Sequence, residues 1–177
     1  MSTPANPARP WCATAVLSAA LLSALSTAPA RADDRARMPA VVPQAYTQEC
    51  GSCHIAYPPG LLPARSWQRL MTGLDSHFGS DASLDAAATQ QLSQWLQAHA
   101  ATSRKRRAEP PQDRITQADW FARKHRRIDR AVWAHPSVKS AANCTACHPG
   151  AERGDFDDDD LRTPPGLDPD STRRWRD

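Results

Sequence analysis

The sequence predicts a mostly α-helical fold, and three observations carry that expectation. Apolar residues recur at the helical period in two separate stretches, 67–78 and 84–99. A helix-start pattern, Thr116 with Asp119 three residues on, follows a charged linker. Two copies of C-x-x-C-H, at Cys50 to His54 and Cys144 to His148, each place two thiols on one helical turn.

Taken in order, residues 1–32 read as an export signal. Arg9 precedes the apolar, small-residue run Ala13 to Leu25, and both Ala28-Pro-Ala30 and Ala30-Arg-Ala32 have the form of a cleavage site. The run has 13 residues, too few for a bilayer, which takes about 20. Cleavage after Ala32 is preferred, and after Ala30 is the alternative. Asp33 to Pro43 is an irregular lead-in. From Gln44 the chain is expected to turn helical and run into the first motif. Tyr57-Pro-Pro-Gly-Leu-Leu-Pro63 excludes helix, because its prolines lack the N–H and clash with the preceding turn.

Helix is expected again from Ala64, with Trp67, Leu70, Met71, Leu74 and Phe78 on one stripe, His77 at its edge, and Gly79-Ser-Asp81 ending it. The next helix spans Leu84 to about His99, with Leu84, Ala88, Leu92, Trp95, Leu96 and His99 on its apolar side. Residues 104–114 form a linker whose run Arg104-Lys-Arg-Arg107 reads as a solvated loop. Thr116 is expected to cap a helix that carries Trp120, Phe121, Lys124, His125 and Ile128, with Ile115 and Trp120 as a hydrophobic staple. Pro136 suits the first turn of a helix over Val138 to Cys147. Asp155 to Asp160 reads as a solvated acidic run. The organisation so predicted is a signal peptide 1–32, an N-terminal domain 33–103, a linker 104–114, a C-terminal domain 115–160 and a flexible tail 161–177.

The chain has 177 residues, 16 of them proline and 7 glycine, which bounds it to one or two small domains. Six of its aromatic residues are tryptophan, yet the apolar core is thin for two domains. Domains this small bury too little surface and usually need a disulfide, a metal or another insert. Removing Arg9 and Arg31 with the signal leaves 20 basic residues against 19 acidic ones, a net charge of +1. Nothing in that balance argues for nucleic acid or anionic lipid. Once the signal is cut away the chain is expected to hold no stable membrane insertion.

The five cysteines resolve in the same way. Cys12 leaves with the signal, and Cys50, Cys53, Cys144 and Cys147 all fall in the two motifs. Haem carries two vinyl groups, and thiols at i and i+3 on one turn reach both, while the following histidine reaches the iron. C-x-x-C-H is therefore a signal for covalent haem c attachment. Zinc ribbons space their cysteine pairs by about 15–20 residues, whereas 90 residues separate Cys53 from Cys144. Redox dithiols would need a thioredoxin-like βαβ pattern, which is missing, and short-range disulfides leave the histidines without a role. The expected cofactors are two covalently attached haem c groups, with His54 and His148 as iron ligands. They would also supply the missing core.

The second axial ligand decides the chemistry, since an iron with one histidine keeps an open position. Met38, Met71, His77, His99, His125 and His135 are the candidates. Met71 lies mid-stripe and reads as core, and Met38 lies in the loose lead-in. His99 sits near the linker, and His135 is too near its own motif to cross easily to the far face. The expected pairs are His54 with His77 and His148 with His125, the crossed arrangement staying open.

With these residues in hand the chain resembles the bacterial dihaem cytochrome c (DHC-type) family. The resemblance is carried by Glu49-Cys-Gly-Ser-Cys-His-Ile-Ala-Tyr-Pro-Pro-Gly-Leu-Leu-Pro63, Ser66-Trp67, Leu70-Met71 and His77-Phe-Gly79. It continues through Trp120-Phe121, Lys124-His125-Arg126, Asn143-Cys-Thr-Ala-Cys-His148 and Gly150-Ala-Glu152. It implies a class I cytochrome c-like N-terminal domain, a small irregular helical second haem domain, and bis-histidine haems. It further implies electron transfer between a membrane cytochrome b and a soluble SHP-type oxygen-binding monohaem cytochrome. The function expected is that of a periplasmic electron carrier and not an enzyme. The alternatives are a haem enzyme or gas binder with one five-coordinate iron, peroxidase-like, and a small dihaem subunit of a periplasmic reductase.

Overall fold

The computed structural model describes residues 1–2 and 36–175. The export signal beyond its first two residues, both cleavage positions, and residues 176–177 lie outside the described residues. The elements below all belong to the unit Asp33–Asp177. Among the described residues the regular structure is α-helix and short 3-10 turns, with no strand, as the hydrophobic periodicity leads one to expect. None of these helices is long and apolar enough to cross a membrane.

Helix α1 (Gln44–Glu49) starts behind Pro43 and tightens into a 3-10 turn, Cys50–Ser52, that carries the first motif. The proline-rich stretch after it makes one further 3-10 turn, Pro59–Leu61, within the extended or turn geometry expected of it. Proline tolerates this first-turn position because its missing N–H would have no partner there. Helix α2 (Ala64–Thr72) is shorter than its apolar stripe. Gly73 ends it, its N–H donating to the carbonyls of Arg69 and Leu70 at 3.1 and 3.3 Å. The chain then forms a 3-10 turn, Leu74–Ser76. Phe78, expected on the buried stripe, is exposed with a φ of 51°. The spacing persisted past the glycine, but the helix that gives the spacing its meaning did not.

Helix α3 (Ala86–Ala98) matches its expected span to within two residues. The Asp85 carboxylate accepts the Ala88 N–H at 2.9 Å and so satisfies a donor left over at the helix start. Leu92 and Leu96 on its inner face are fully buried, each contributing roughly 1.5–3 kcal/mol. With Tyr46, Leu62, Trp67 and Met71 they form the first core, between α2 and α3. Met71 thus packs as core. The Trp67 indole N–H donates to the Pro59 carbonyl at 2.7 Å, and the Ala101 N–H to that of Leu62 at 2.8 Å. These two bonds tie the proline-rich loop to the helices on either side.

The linker end is pinned. The Arg69 guanidinium bridges Asp113 at 2.6 Å and Glu109 at 2.8 Å. Beyond it, Thr116 lies inside a 3-10 turn, Ile115–Gln117, and does not cap α4 (Asp119–Lys124). Ala118 occupies the cap position, and Asp119 instead places a negative charge in the first turn, where the helix dipole favours it. Helix α5 (Arg130–Ala134) was not foreseen, and the helix expected over Val138 to Cys147 is missing. Two features replace it. The Ser137 N–H donates to Nδ1 of His135 at 3.3 Å. Lys139 adopts a left-handed φ of 70° just after Val138, which is fully buried. Only the 3-10 turn Cys144–Ala146 remains helical there.

A second core forms from Val138, Ala146 and Cys147. Residues 161–175, expected as a flexible tail, pack onto it through Leu161, Leu167 and Trp175, the last in helix α6 (Ser171–Trp175). The Arg162 N–H donates to the Cys147 carbonyl, and its guanidinium to that of Thr145, both at 2.8 Å. Charge and proline content marked this segment as solvated. Three widely spaced apolar residues were enough to dock it.

Two contacts join the segment after the first motif to the surroundings of the second. The Tyr57 hydroxyl donates to the Ala142 carbonyl at 2.8 Å. Gly154, at a φ of 72°, packs so closely that an added Cβ would lie 2.8 Å from the Met38 nitrogen and 2.9 Å from Cγ of Pro58.

Gly154→Ala meets both a left-handed backbone and this contact. It is expected to cost more than the about 1–2 kcal/mol of the backbone conformation alone, read by chemical denaturation. Asp113 gives a second test. Its hydrogen bonds from Arg69 hold its carboxyl below the usual carboxylate range. The stability it contributes is therefore present above the unfolded value of about 3.9 and is lost as pH falls through the lowered folded value. Asp113→Asn should lower the denaturation midpoint at neutral pH, and the difference from the parent chain should shrink to nothing in strong acid.

Candidate haem-binding sites

The first motif delivers its histidine at the end of a tight turn. Cys50 and Cys53 flank the 3-10 turn, and His54 follows directly. The His54 Nδ1 lies 2.7 Å from the Ile55 carbonyl. A carbonyl can only accept, so Nδ1 carries the proton and Nε2 keeps its lone pair for a metal. His77 comes from the chain beyond α2, after the 3-10 turn Leu74–Ser76. Positive φ values at Phe78 and Gly79, 51° and 96°, fold the chain back so that the Ser80 N–H reaches the His77 carbonyl at 3.0 Å. This reversal brings the His77 ring to face His54, with ring centroids 6.2 Å apart.

The second site repeats the arrangement with different parts. His148 follows the turn that carries Cys144 and Cys147. His125 terminates α4, and its Nδ1 donates to the Phe121 carbonyl at 2.9 Å, which again leaves Nε2 as the ligand nitrogen. The His125 and His148 centroids lie 6.3 Å apart. All four expected ligands thus meet in the two expected pairs. His99 caps α3 and donates to the Trp95 carbonyl at 2.8 Å, and His135 accepts from Ser137. Met38 packs at the margin of the first core.

The two ring separations suit one metal held between each pair. Two imidazoles bound from opposite sides to one metal at about 2 Å each set their ring centres about 6 Å apart. Both pairs meet that spacing. No three of the described His, Cys, Asp and Glu side chains converge as a metal-binding group. The donor set therefore suits an iron that brings its own four in-plane nitrogens, and does not suit zinc held by protein ligands alone. Nδ1 of His77 and of His148 is buried without a hydrogen-bond partner. Burial lowers the pKa of His77, His125 and His148; the facing His54 adds to this at His77, Lys124 at His125, and the facing His125 at His148. At His125 the Phe121 carbonyl works against the shift, and at His148 the Asp157 main chain and the Asp158 and Asp155 carboxylates do so. The outcome is neutral imidazole, the form that binds iron.

The cysteines point the same way. Burial pushes the thiols of Cys50 and Cys144 up to about 11, and Cys147 upward as well. Reactive dithiols need the opposite, a depressed pKa. The Nε1 of Trp120 and the Oγ of Ser103 are also buried without partners, and the Arg106 guanidinium stands 5.3 Å from the Trp120 ring.

Sequence reasoning missed the aromatic walls. Phe121 stacks on His125 at 3.9 Å, and Trp133 lies 5.8 Å from it. Tyr57 lies 5.0 Å from His54, and Phe78 lies 4.7 Å from His77. Phe156, inside the acidic run expected to be solvated, stands edge-on to His148 at 5.7 Å. That run is also anchored by Asp158 to Lys124 at 3.2 Å. Of these, only the four-residue spacing of Phe121 and His125 was a readable signal, since it puts both on one helix face.

Comparison with known proteins gives the family. The family model for dihaem cytochrome c matches residues 46–156. An X-ray structure of a dihaem cytochrome type c from Shewanella baltica OS155 is 42% identical, with a TM-score of 0.63, covering 72% of this chain and 98% of that one. The dihaem cytochrome c from Rhodobacter sphaeroides is 40% identical, with a TM-score of 0.59, covering 68% and 99%. A second structure, of DHC purified from Rhodobacter sphaeroides, is 44% identical, with a TM-score of 0.54, covering 66% and 98%. Among curated proteins none matches.

If each motif holds one haem, replacing both cysteines of one motif by serine removes one haem and leaves the other. Intact mass is expected to fall by one haem increment for Cys50/Cys53→Ser, and likewise for Cys144/Cys147→Ser. Loss of both increments from either variant would show that the sites load only together.

Proposed function

Since the chain belongs to the dihaem cytochrome c family, with two covalently bound haem c groups, we propose that it is a periplasmic electron carrier with both irons closed by histidine. In this reading Cys50 and Cys53 hold one haem and Cys144 and Cys147 the other. His54 with His77, and His148 with His125, are the axial pairs. When bound, each haem supplies a one-electron iron couple, and bis-histidine ligation sets it lower than methionine would.

The observation that carries the reading is the repeated facing of two imidazoles at 6.2 and 6.3 Å. Ligands on both faces leave no position for a substrate, so the role left to the protein is burial and orientation. His54 and His125 are oriented by main-chain carbonyls, and all four rings have an aromatic neighbour. The proposed organisation is an N-terminal haem domain 33–103, of class I type, joined through 104–114 to a second haem domain over 115–160. The redox partners it proposes are a membrane cytochrome b and a soluble SHP-type monohaem cytochrome. Export follows from residues 1–32 acting as a signal peptide.

Carbon monoxide tests the closed irons. The reduced parent protein is expected to bind none, and its oxidised spectrum to be low-spin. His77→Ala and His125→Ala should each open one iron, converting half of the haem to a high-spin form and admitting about one carbon monoxide per chain. Stoichiometric binding by the parent protein would assign it instead to the enzymes or gas binders. Unchanged spectra in both variants would break the axial pairs.

A further inference from the structure

We propose that Tyr57 is the coupling residue through which an electron passes between the two haem sites. This rests on the reading that His54 and His77 hold one haem and His125 and His148 the other. The Tyr57 ring lies 5.0 Å, centroid to centroid, from the His54 imidazole. Its hydroxyl donates to the Ala142 carbonyl at 2.8 Å, across 85 positions of sequence. Ala142 stands two residues before Cys144, and the same carbonyl lies 3.7 Å from the Cys144 Sγ. One side chain therefore spans from a proposed ligand of the first iron to the main chain that carries a proposed thioether of the second.

The route so formed has one van der Waals step, one hydrogen bond and two peptide units. Electrons tunnel more readily along bonded and hydrogen-bonded atoms than across unlinked space, so this bonded route carries the exchange. Its geometry is fixed from behind as well. The Tyr57 carbonyl accepts the hydroxyl of Tyr46, which is buried in the first core with its ring 4.8 Å from Trp95. A phenol ionises at about 10, so at neutral pH the Tyr57 hydroxyl is protonated and remains a donor. The exchange is one electron: the iron on one side goes from ferrous to ferric and that on the other from ferric to ferrous. No proton moves, and Tyr57 itself is neither oxidised nor reduced.

A strut would stiffen the joint without carrying the electron, and three variants separate the two roles. Tyr57→Phe keeps the ring against His54 and removes only the hydroxyl. Its electron exchange between the haems, followed after flash reduction of the half-reduced protein, is expected to slow several-fold while both midpoint potentials stay where they are. Tyr57→Leu removes the ring too and should slow it further. Tyr46→Phe removes no atom of the route and only loosens the main chain behind it, so it should slow exchange less than Tyr57→Phe does; equal slowing in the two would make Tyr57 a strut and overturn the proposal. An unchanged rate in Tyr57→Phe overturns the proposal, as does a slowing that merely follows a shifted potential. Intact mass and the low-spin spectrum of the parent protein report separately on the two-haem reading, so failure of that reading is distinguishable from failure of the route.

Discussion

The fold hangs on holding two imidazoles opposite one another at a set distance, twice, in a chain with little else to stabilise it. Among the described residues the α-helices run from 5 to 13 residues, and isolated helices that short do not persist in water. The first core has six fully packed members and the second only three. A haem held between each pair, as proposed, would add apolar area at the place where the chain lacks it, so that ligation and folding would reinforce one another. The same requirement explains why turns rather than helices dominate near the sites. Each motif needs one tight turn, and each far-side histidine needs an abrupt stop before it.

Those stops are made by different means. At His77 the chain reverses through successive left-handed residues, Phe78 and Gly79. Phe78 bears this conformation without the freedom of glycine, with its ring covered on one face by Arg114 at 4.3 Å. At His125 the helix simply ends, and the last turn supplies the Phe121 carbonyl that orients the ring. One site is therefore set by a strained loop and the other by a helix terminus. The two halves meet where side chains are small or bonded: Gly154 against Met38 and Pro58, and Tyr57 against Ala142.

Much of the site was legible from residue order, because covalent attachment prescribes its own spacing. Cysteines three apart with an adjacent histidine mean the same thing in any fold, and the shortage of other candidates pointed to His77 and His125, which the fold sets opposite the motif histidines. Helix α3 was legible because its cap, its periodic leucines and its end all agree. What was not legible came from non-local contacts. The stripe through Phe78 had the right period but crossed Gly73. Thr116 had the right chemistry for a cap but fell one turn early. The segment 138–147 had a proline in a favourable place, yet the buried Val138 and left-handed Lys139 bend it. Residues 161–175 looked solvated because charge dominates their composition, while their apolar docking runs through Leu161, Leu167 and Trp175. Periodicity cannot report a contact made by three residues spread over fifteen positions.

The burial of the motif thiols bears on the order of events during biogenesis. Before haem is attached, burial raises the Cys50 and Cys144 thiols to about 11, and a thiol so shifted is a poor nucleophile. Attachment is therefore favoured on a chain whose α1 and second core have not yet closed, which places the pigment at the start of folding and not at its end.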